Sequence, residues 1–376
     1  MTQKLGGLLK TIVFMLGNVY SCVYILACFT PYIHPRNFKG FTFLALMFPY
    51  LLMGMVLWLF LVLFFYKKKW LLYFVLICVG YTNITTVFAF HTPTNFNTTK
   101  NENTIRVLSW NVKNFTDLVT LNDTPNSPRK GILNFISSAN ADVVCLQDYH
   151  ELDGKLFFDI QQDIKKVGNY TYCYFTKDKV IPYFYGIGKY GVAIFSKYPI
   201  INSNKINYTA FNIKESLAFV DVVKANDTIR IYNTHLQSMS LKFDFLKDTV
   251  DIKYNDEYNF LKSNQSIIKR LERYDLVHSN QAQFIKQILD TTTYPFIFCA
   301  DLNSVPSSYV YHTLHNGLTD AFINKGSGLG ATYLGIAPSV RIDVILMSKA
   351  FRPIQYYSQP LPYSDHQPIV TDVILK

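Results

Sequence analysis

The stretch Tyr294-Pro295-Phe296-Ile297-Phe298-Cys299-Ala300-Asp301-Leu302-Asn303-Ser304-Val305-Pro306 decides the fold. Its first half is a short apolar run that reads as a buried strand. Its second half is rich in Ser and Pro and reads as a loop. Asp301 and Asn303 therefore sit where a core strand ends. Two residues apart on an extended chain, their side chains share one side. A carboxylate and a carboxamide so placed can hold one water and aim it at an electrophile. An Asx turn closing a strand uses the same residues, so the rest of the chain decides between the two.

Working outward, strand-like runs recur at Ile105–Trp110, Val143–Gln147, Tyr172–Phe175, Val192–Phe195, Leu217–Val223, Ile229–Thr234, Arg341–Met347 and Pro368–Ile374. Helical spacing of apolar residues marks Arg129–Ala139 and Ser279–Leu289 between them. Strands interleaved with helices predict an α/β layered fold. The charged, aromatic-bearing segment 238–278 reads as a partly solvated helical insertion. Six strand ends each carry a carboxylate, a carboxamide or an imidazole: Asn111, Asp148, His235, Asp301 with Asn303, Asp343, and Asp365 with His366. Each has a structural use as a turn former, helix cap or satisfied core group. Together they outline one edge of a sheet, where active sites gather.

In order, SWN, LQD, GVAIFSKYP, NTHLQS, ADLNSVP, RIDVIL and SDHQP resemble the endonuclease/exonuclease/phosphatase superfamily over roughly 105–376. The resemblance implies a four-layer α/β sandwich, two mixed β-sheets face to face with helices outside. It implies phosphate-ester hydrolysis with Mg2+ or Mn2+. Carried over by position, it places Asn111, Asp148 and Asp365 around the metal. Asp301 and Asn303 would orient or deprotonate the attacking water. His235 would donate to a non-bridging phosphate oxygen, and His366, held by Asp343, would also face the phosphate. A hard cation takes oxygen ligands of this kind and acts on phosphoryl oxygens as a Lewis acid. Asp148 stands where the family usually has Glu, one methylene longer, which bears on metal affinity. Tyr185 and Tyr190 are both candidates for the tyrosine some nuclease members use. Gly186-Ile187-Gly188-Lys189-Tyr190-Gly191 fits GxGxxG but precedes a strand, which excludes a dinucleotide site.

The resemblance stops short of the N-terminus, which has a different composition. Eight of the 36 basic residues and none of the 26 acidic ones lie in 1–100, leaving 28 against 26 in the remainder. The net charge of +10 thus belongs to the N-terminal third, and the rest lacks the footprint of a tight non-specific DNA binder. Long uncharged apolar runs predict three transmembrane helices, near 11–33, 42–66 and 70–90. Lys4, Lys10 and Lys67–Lys69 against Arg36 and Lys39 favour a cytoplasmic N-terminus. Three spans then put the remainder across the membrane. Usage rich in Asn, Lys, Tyr and Phe hints at a bacterial source, hence a multi-pass inner-membrane protein with an extracytoplasmic catalytic domain. The polar segment 91–104 reads as a linker. The six cysteines show no zinc spacing.

The expectation is a membrane-anchored, divalent-metal-dependent phosphodiesterase, nuclease-like or acting on a phospholipid headgroup. An inositol-phosphate-type phosphomonoesterase and a non-catalytic membrane-tethered binding module are the alternatives. Partners implied are the phosphate ester and the lipid bilayer, with no protein partner evident.

Overall fold

The computed structural model describes residues 2–38, 41–65, 69–93, 95–115, 127–153, 158–183, 186–208, 215–238, 267–335 and 337–376. Two mixed β-sheets dominate the region after residue 104. The first has seven strands: β1 (Ile105–Asn111), β2 (Val143–Asp153), β3 (Tyr172–Phe175), β4 (Lys179–Tyr183), β5 (Gly186–Ser196), β12 (Phe351–Ser358) and β13 (Ile369–Leu375). Its order is β12-β13-β1-β2-β5-β3, with β4 also on β5. The second has six: β6 (Ile200–Asn207), β7 (Ser216–Lys224), β8 (Asp227–His235), β9 (Phe296–Asp301), β10 (Thr319–Asp320) and β11 (Asp343–Met347), in the order β10-β11-β9-β8-β7-β6. Each sheet contains a parallel pair among antiparallel ones, β1 with β2 and β8 with β9.

Side-chain alternation builds the layers. Ile105 and Val107 point from β1 into the space between the sheets, where they meet Val143, Cys145, Ile231, Ile297, Cys299 and Ile345. Leu108 and Trp110 point outward and pack under the helices Pro128–Ala139 and Ile160–Gly168. On the other outer face Phe296, Phe298 and Ala300 pack against the helices Ile267–Asp290 and Tyr309–His315. The result is the expected four-layer α/β sandwich. Burial on both faces of β9 explains why it reads as a continuous apolar run up to Asp301.

Several elements differ from the sequence reading. The GxGxxG stretch lies inside β5 instead of before a strand. Strand β6, with three Asn and one Lys, carries residues that strands disfavour and was not foreseen. It forms because it pairs along its length with β7. Of the insertion 238–278, residues 239–266 lie outside the described residues, and 267–278 open the helix Ile267–Asp290.

The N-terminal region contains the helices Thr2–Cys28 and Phe41–Phe65, each long and apolar enough to cross a membrane. The third predicted span is two short helices, Trp70–Val79 and Tyr81–Val87, bent by 60°. The bend falls at Gly80, where the Tyr24 hydroxyl donates to the Ile77 carbonyl at 3.0 Å. A Cβ at Gly80 would meet that hydroxyl at 2.1 Å, so only glycine admits the approach. Segment 91–104 lies along the sandwich. The buried Arg106 donates to the carbonyls of Asn97 and Thr98, each at 3.0 Å, and Phe96 lies 5.0 Å from Tyr357.

Candidate active site

Strand pairing alone brings the strand-end residues together. His235 and Asp301 are register partners across β8 and β9, and Asp301 and Asp343 across β9 and β11. In the other sheet Asn111 lies opposite Gln147, one residue before Asp148. The loop before β13 is tied to the end of β1. Ser364 Oγ donates to the Asn111 carbonyl at 2.8 Å, and Trp110 Nε1 donates to the His366 carbonyl at 2.9 Å.

Asp301 is the centre of the cluster, and its side chain is 1% exposed. Its Oδ1 accepts from the Asn303 backbone N–H at 2.9 Å, and its Oδ2 accepts from Asn111 Nδ2 at 2.9 Å. Oδ2 also lies 3.5 Å from His235 Nε2 and 3.7 Å from His366 Nε2. The turn that permits the first bond needs Asn303 at φ 46°, a left-handed conformation Asn tolerates. Asn303 Nδ2 donates to the Leu236 carbonyl at 3.0 Å and sits 3.0 Å from His235 Nε2.

Each histidine is held from behind by a carboxylate. His235 Nδ1 lies 3.1 Å from Asp148 Oδ1, and His366 Nδ1 lies 2.9 Å from Asp343 Oδ2. Burial alone would lower the pKa of both rings. For His235 the Asp148 and Asp301 carboxylates outweigh burial and push it up to about 10. For His366, Asp343 and Asp301 push it up to about 9. Nε2 of His235 faces both the Asp301 carboxylate and the Asn303 amide. Asp148 lies in a bulge of β2 at φ 45°. Burial pushes its carboxyl up, but His235 more than reverses this and holds it below the ordinary value.

The predicted set of eight thus converges on one edge of the sandwich, and its carboxylates differ in exposure. Asp301, Asp343 and His366 place ligand atoms within 4.8 Å of one another, all buried. Asp148 and Asp365 are partly open, with side chains 35% and 30% exposed. Sequence reasoning missed Lys113, whose Nζ lies 2.9 Å from Asp365 Oδ2. The signal was its place two residues after Asn111, whose Oδ1 accepts the Lys113 N–H at 3.0 Å. It also missed His278, which lies between two site loops. Its Nε2 donates to the Gln237 carbonyl at 2.6 Å and its Nδ1 lies 3.3 Å from Ser304 Oγ. Burial pushes His278 down to about 4, so it serves as a neutral spacer. Nothing local in a helix of this composition marks it. Tyr190 stacks on His150 at 3.9 Å, and Tyr185 lies outside the described residues.

Two face-to-face mixed sheets with acidic, amide and imidazole side chains gathered at one edge define the class of fold. The sequence profile of the Endonuclease/Exonuclease/phosphatase family matches residues 108–366, and the chain belongs to that family. Its members are generally phosphoester hydrolases and commonly use divalent metals. A second profile, a domain of unknown function, matches residues 10–87. Among solved structures, an endonuclease/exonuclease/phosphatase from Beutenbergia cavernae aligns at 18% identity and TM-score 0.50, covering 73% of this chain and 72% of that one. The human Nocturnin catalytic domain aligns at 20% identity and TM-score 0.50, covering 73% and 94%. At these identities the likeness shows the fold. No curated protein matches the chain by sequence.

Proposed function

We propose that this protein is a membrane-anchored, divalent-metal-dependent phosphodiesterase. The observation that carries the reading is the Asp301 carboxylate, buried between Asn111, Asn303 and two carboxylate-backed histidines. Asp301 orients the attacking water and accepts its proton. Asn303, fixed to the Leu236 carbonyl, fills the position beside that water. His235 and His366, held charged at neutral pH, donate from Nε2 to phosphate oxygens as charge builds in the transition state. Asp343 keeps the His366 ring oriented through Nδ1.

Asn111, Asp148 and Asp365 fit a hard cation by donor chemistry, since all three offer oxygen and both carboxylates are open to solvent. When bound, Mg2+ or Mn2+ supplies Lewis-acid stabilisation of phosphate charge. We assign the catalytic domain to 105–376, the connecting segment to 91–104 and the anchor to 1–90. With the bent pair counted as one span, the catalytic domain is extracytoplasmic. Lys67 and Lys68, two of the five basic residues behind that orientation, lie outside the described residues. Protease added to intact spheroplasts should digest the domain, whereas full protection would invert the topology. Hydrolysis of bis-p-nitrophenyl phosphate that stops in EDTA and returns with Mg2+ tests the chemistry. A panel of DNA, sphingomyelin and inositol phosphates then ranks substrates.

A further inference from the structure

The N-terminal helices dock on the catalytic domain beside the site, and several of the contacts satisfy backbone groups. Pro49 lacks an N–H, so the Ala45 carbonyl has no helical partner. Ser307 Oγ, four residues after Asn303, donates to it at 2.6 Å. Thr30 Oγ1 returns a bond to the Ser307 carbonyl at 2.6 Å. Ala89 and Gly328 pair as a two-residue bridge. Ser339 Oγ donates to the Tyr50 hydroxyl at 3.0 Å. The last-turn carbonyls of the helix Tyr81–Val87 lack intrahelical donors. One of them, Thr86 O, accepts from Arg341 Nη2 at 2.7 Å.

Arg341 is 1% exposed, and its Nη1 donates to the equally buried Asp320 at 2.9 Å. Two residues on stands Asp343, the partner of His366. The segments 328–335 and 337–341 therefore have one margin on the helices and the other on the site. Within them Thr332 Oγ1 accepts the N–H groups of Ile342 and Asp343 at 3.0 and 3.1 Å. Leu334 N donates to the Asp365 carbonyl at 3.0 Å, and the Tyr333 ring lies 4.9 Å from His366.

We infer that the N-terminal helical unit is a working part of the hydrolytic site, with Arg341 as the positioning residue through which the helix Tyr81–Val87 fixes Asp343 and hence His366. This rests on the phosphate-facing role given to His366 above. Anchoring alone would need only a tether; the contacts here fix the strand head that carries a site carboxylate.

The test compares two buried arginines in the full-length protein in nanodiscs. Arg106 also joins an aspartate, Asp372, to carbonyls of the preceding segment, Asn97 and Thr98, but toward the ends of β1 and β13 opposite to the site. Arg341→Lys keeps a charge for Asp320 but loses the planar fork that also reaches Thr86. We expect kcat on bis-p-nitrophenyl phosphate to fall about tenfold with KM within about twofold, and amide exchange at Thr332–Leu334 to quicken. Both substitutions should lower Tm, and Arg106→Lys should leave kcat within about twofold. Wild-type kcat and unchanged exchange in Arg341→Lys would overturn the inference. Equal loss of kcat in both variants would also overturn it, by showing a general effect of destabilisation. If wild type hydrolyses no diester, the functional reading fails, while the exchange comparison still decides whether Arg341 couples the helices to the loop.

Discussion

The site holds two kinds of carboxylate. Asp301 and Asp343 are dry, each side chain 1% exposed, and their oxygens are committed to N–H donors and an imidazole. Asp148 and Asp365 are partly open, and each pairs with a basic side chain, His235 and Lys113 respectively. Burial fixes geometry, because a buried carboxylate must keep its partners. Openness leaves room for exchange, because water or a cation can replace a side-chain partner cheaply. The dry pair is thus suited to orienting atoms and the open pair to admitting a metal.

If that division holds, Asp301→Asn has the largest effect. It should reduce diester hydrolysis by about 10²–10⁴-fold, the usual worth of a general base. Both Asp301 oxygens accept N–H donors, so an amide loses one bond and should cost roughly 1–3 kcal/mol in stability. Kinetics and thermal melts on one preparation check both figures.

The next effect is on pH dependence. His235 and His366 have folded pKa values raised to about 10 and about 9, above an unfolded value of about 6.5. Their ion pairs contribute stability that is fully present below about pH 6.5 and is lost as pH rises through about 9 to 10. Melts from pH 6 to 10.5 should decline over that window. His366→Gln should flatten the lower part of the decline, and an unchanged curve would contradict the charged dyad.

Smaller effects belong to the open pair. Asp148→Glu should lower the metal concentration for half activity, with maximal rate within about twofold. Lys113→Gln removes an exposed ion pair worth about 0.2–1 kcal/mol. Apparent metal affinity should therefore tighten by about 1.4- to 5-fold, measured by calorimetry without substrate. Weaker metal binding in Lys113→Gln would assign the lysine to support of the metal instead of competition with it.

The dry half of the site was legible because strand ends write it into short apolar runs closed by Asp, Asn or His. Asp301 and Asp343 follow from alternation and pairing of two strands, and both proved to be register partners. Long-range contacts were not legible. Nothing near Arg341 announces Thr86, which is distant in the chain and meets it only in the fold. Pro49 was visible, but not that the carbonyl it frees would meet Ser307. Strand β12 was also missed, because Pro353 sits where the register shifts against β13.

The most direct test of the account is a Mg2+ and Mn2+ titration of diester hydrolysis by wild type, Asp301→Asn and Asp148→Glu. The account predicts metal-dependent activity in wild type, near-complete loss in Asp301→Asn at every metal concentration, and a shift of midpoint alone in Asp148→Glu. Full activity in Asp301→Asn, or activity in wild type that persists unchanged in EDTA, would contradict it.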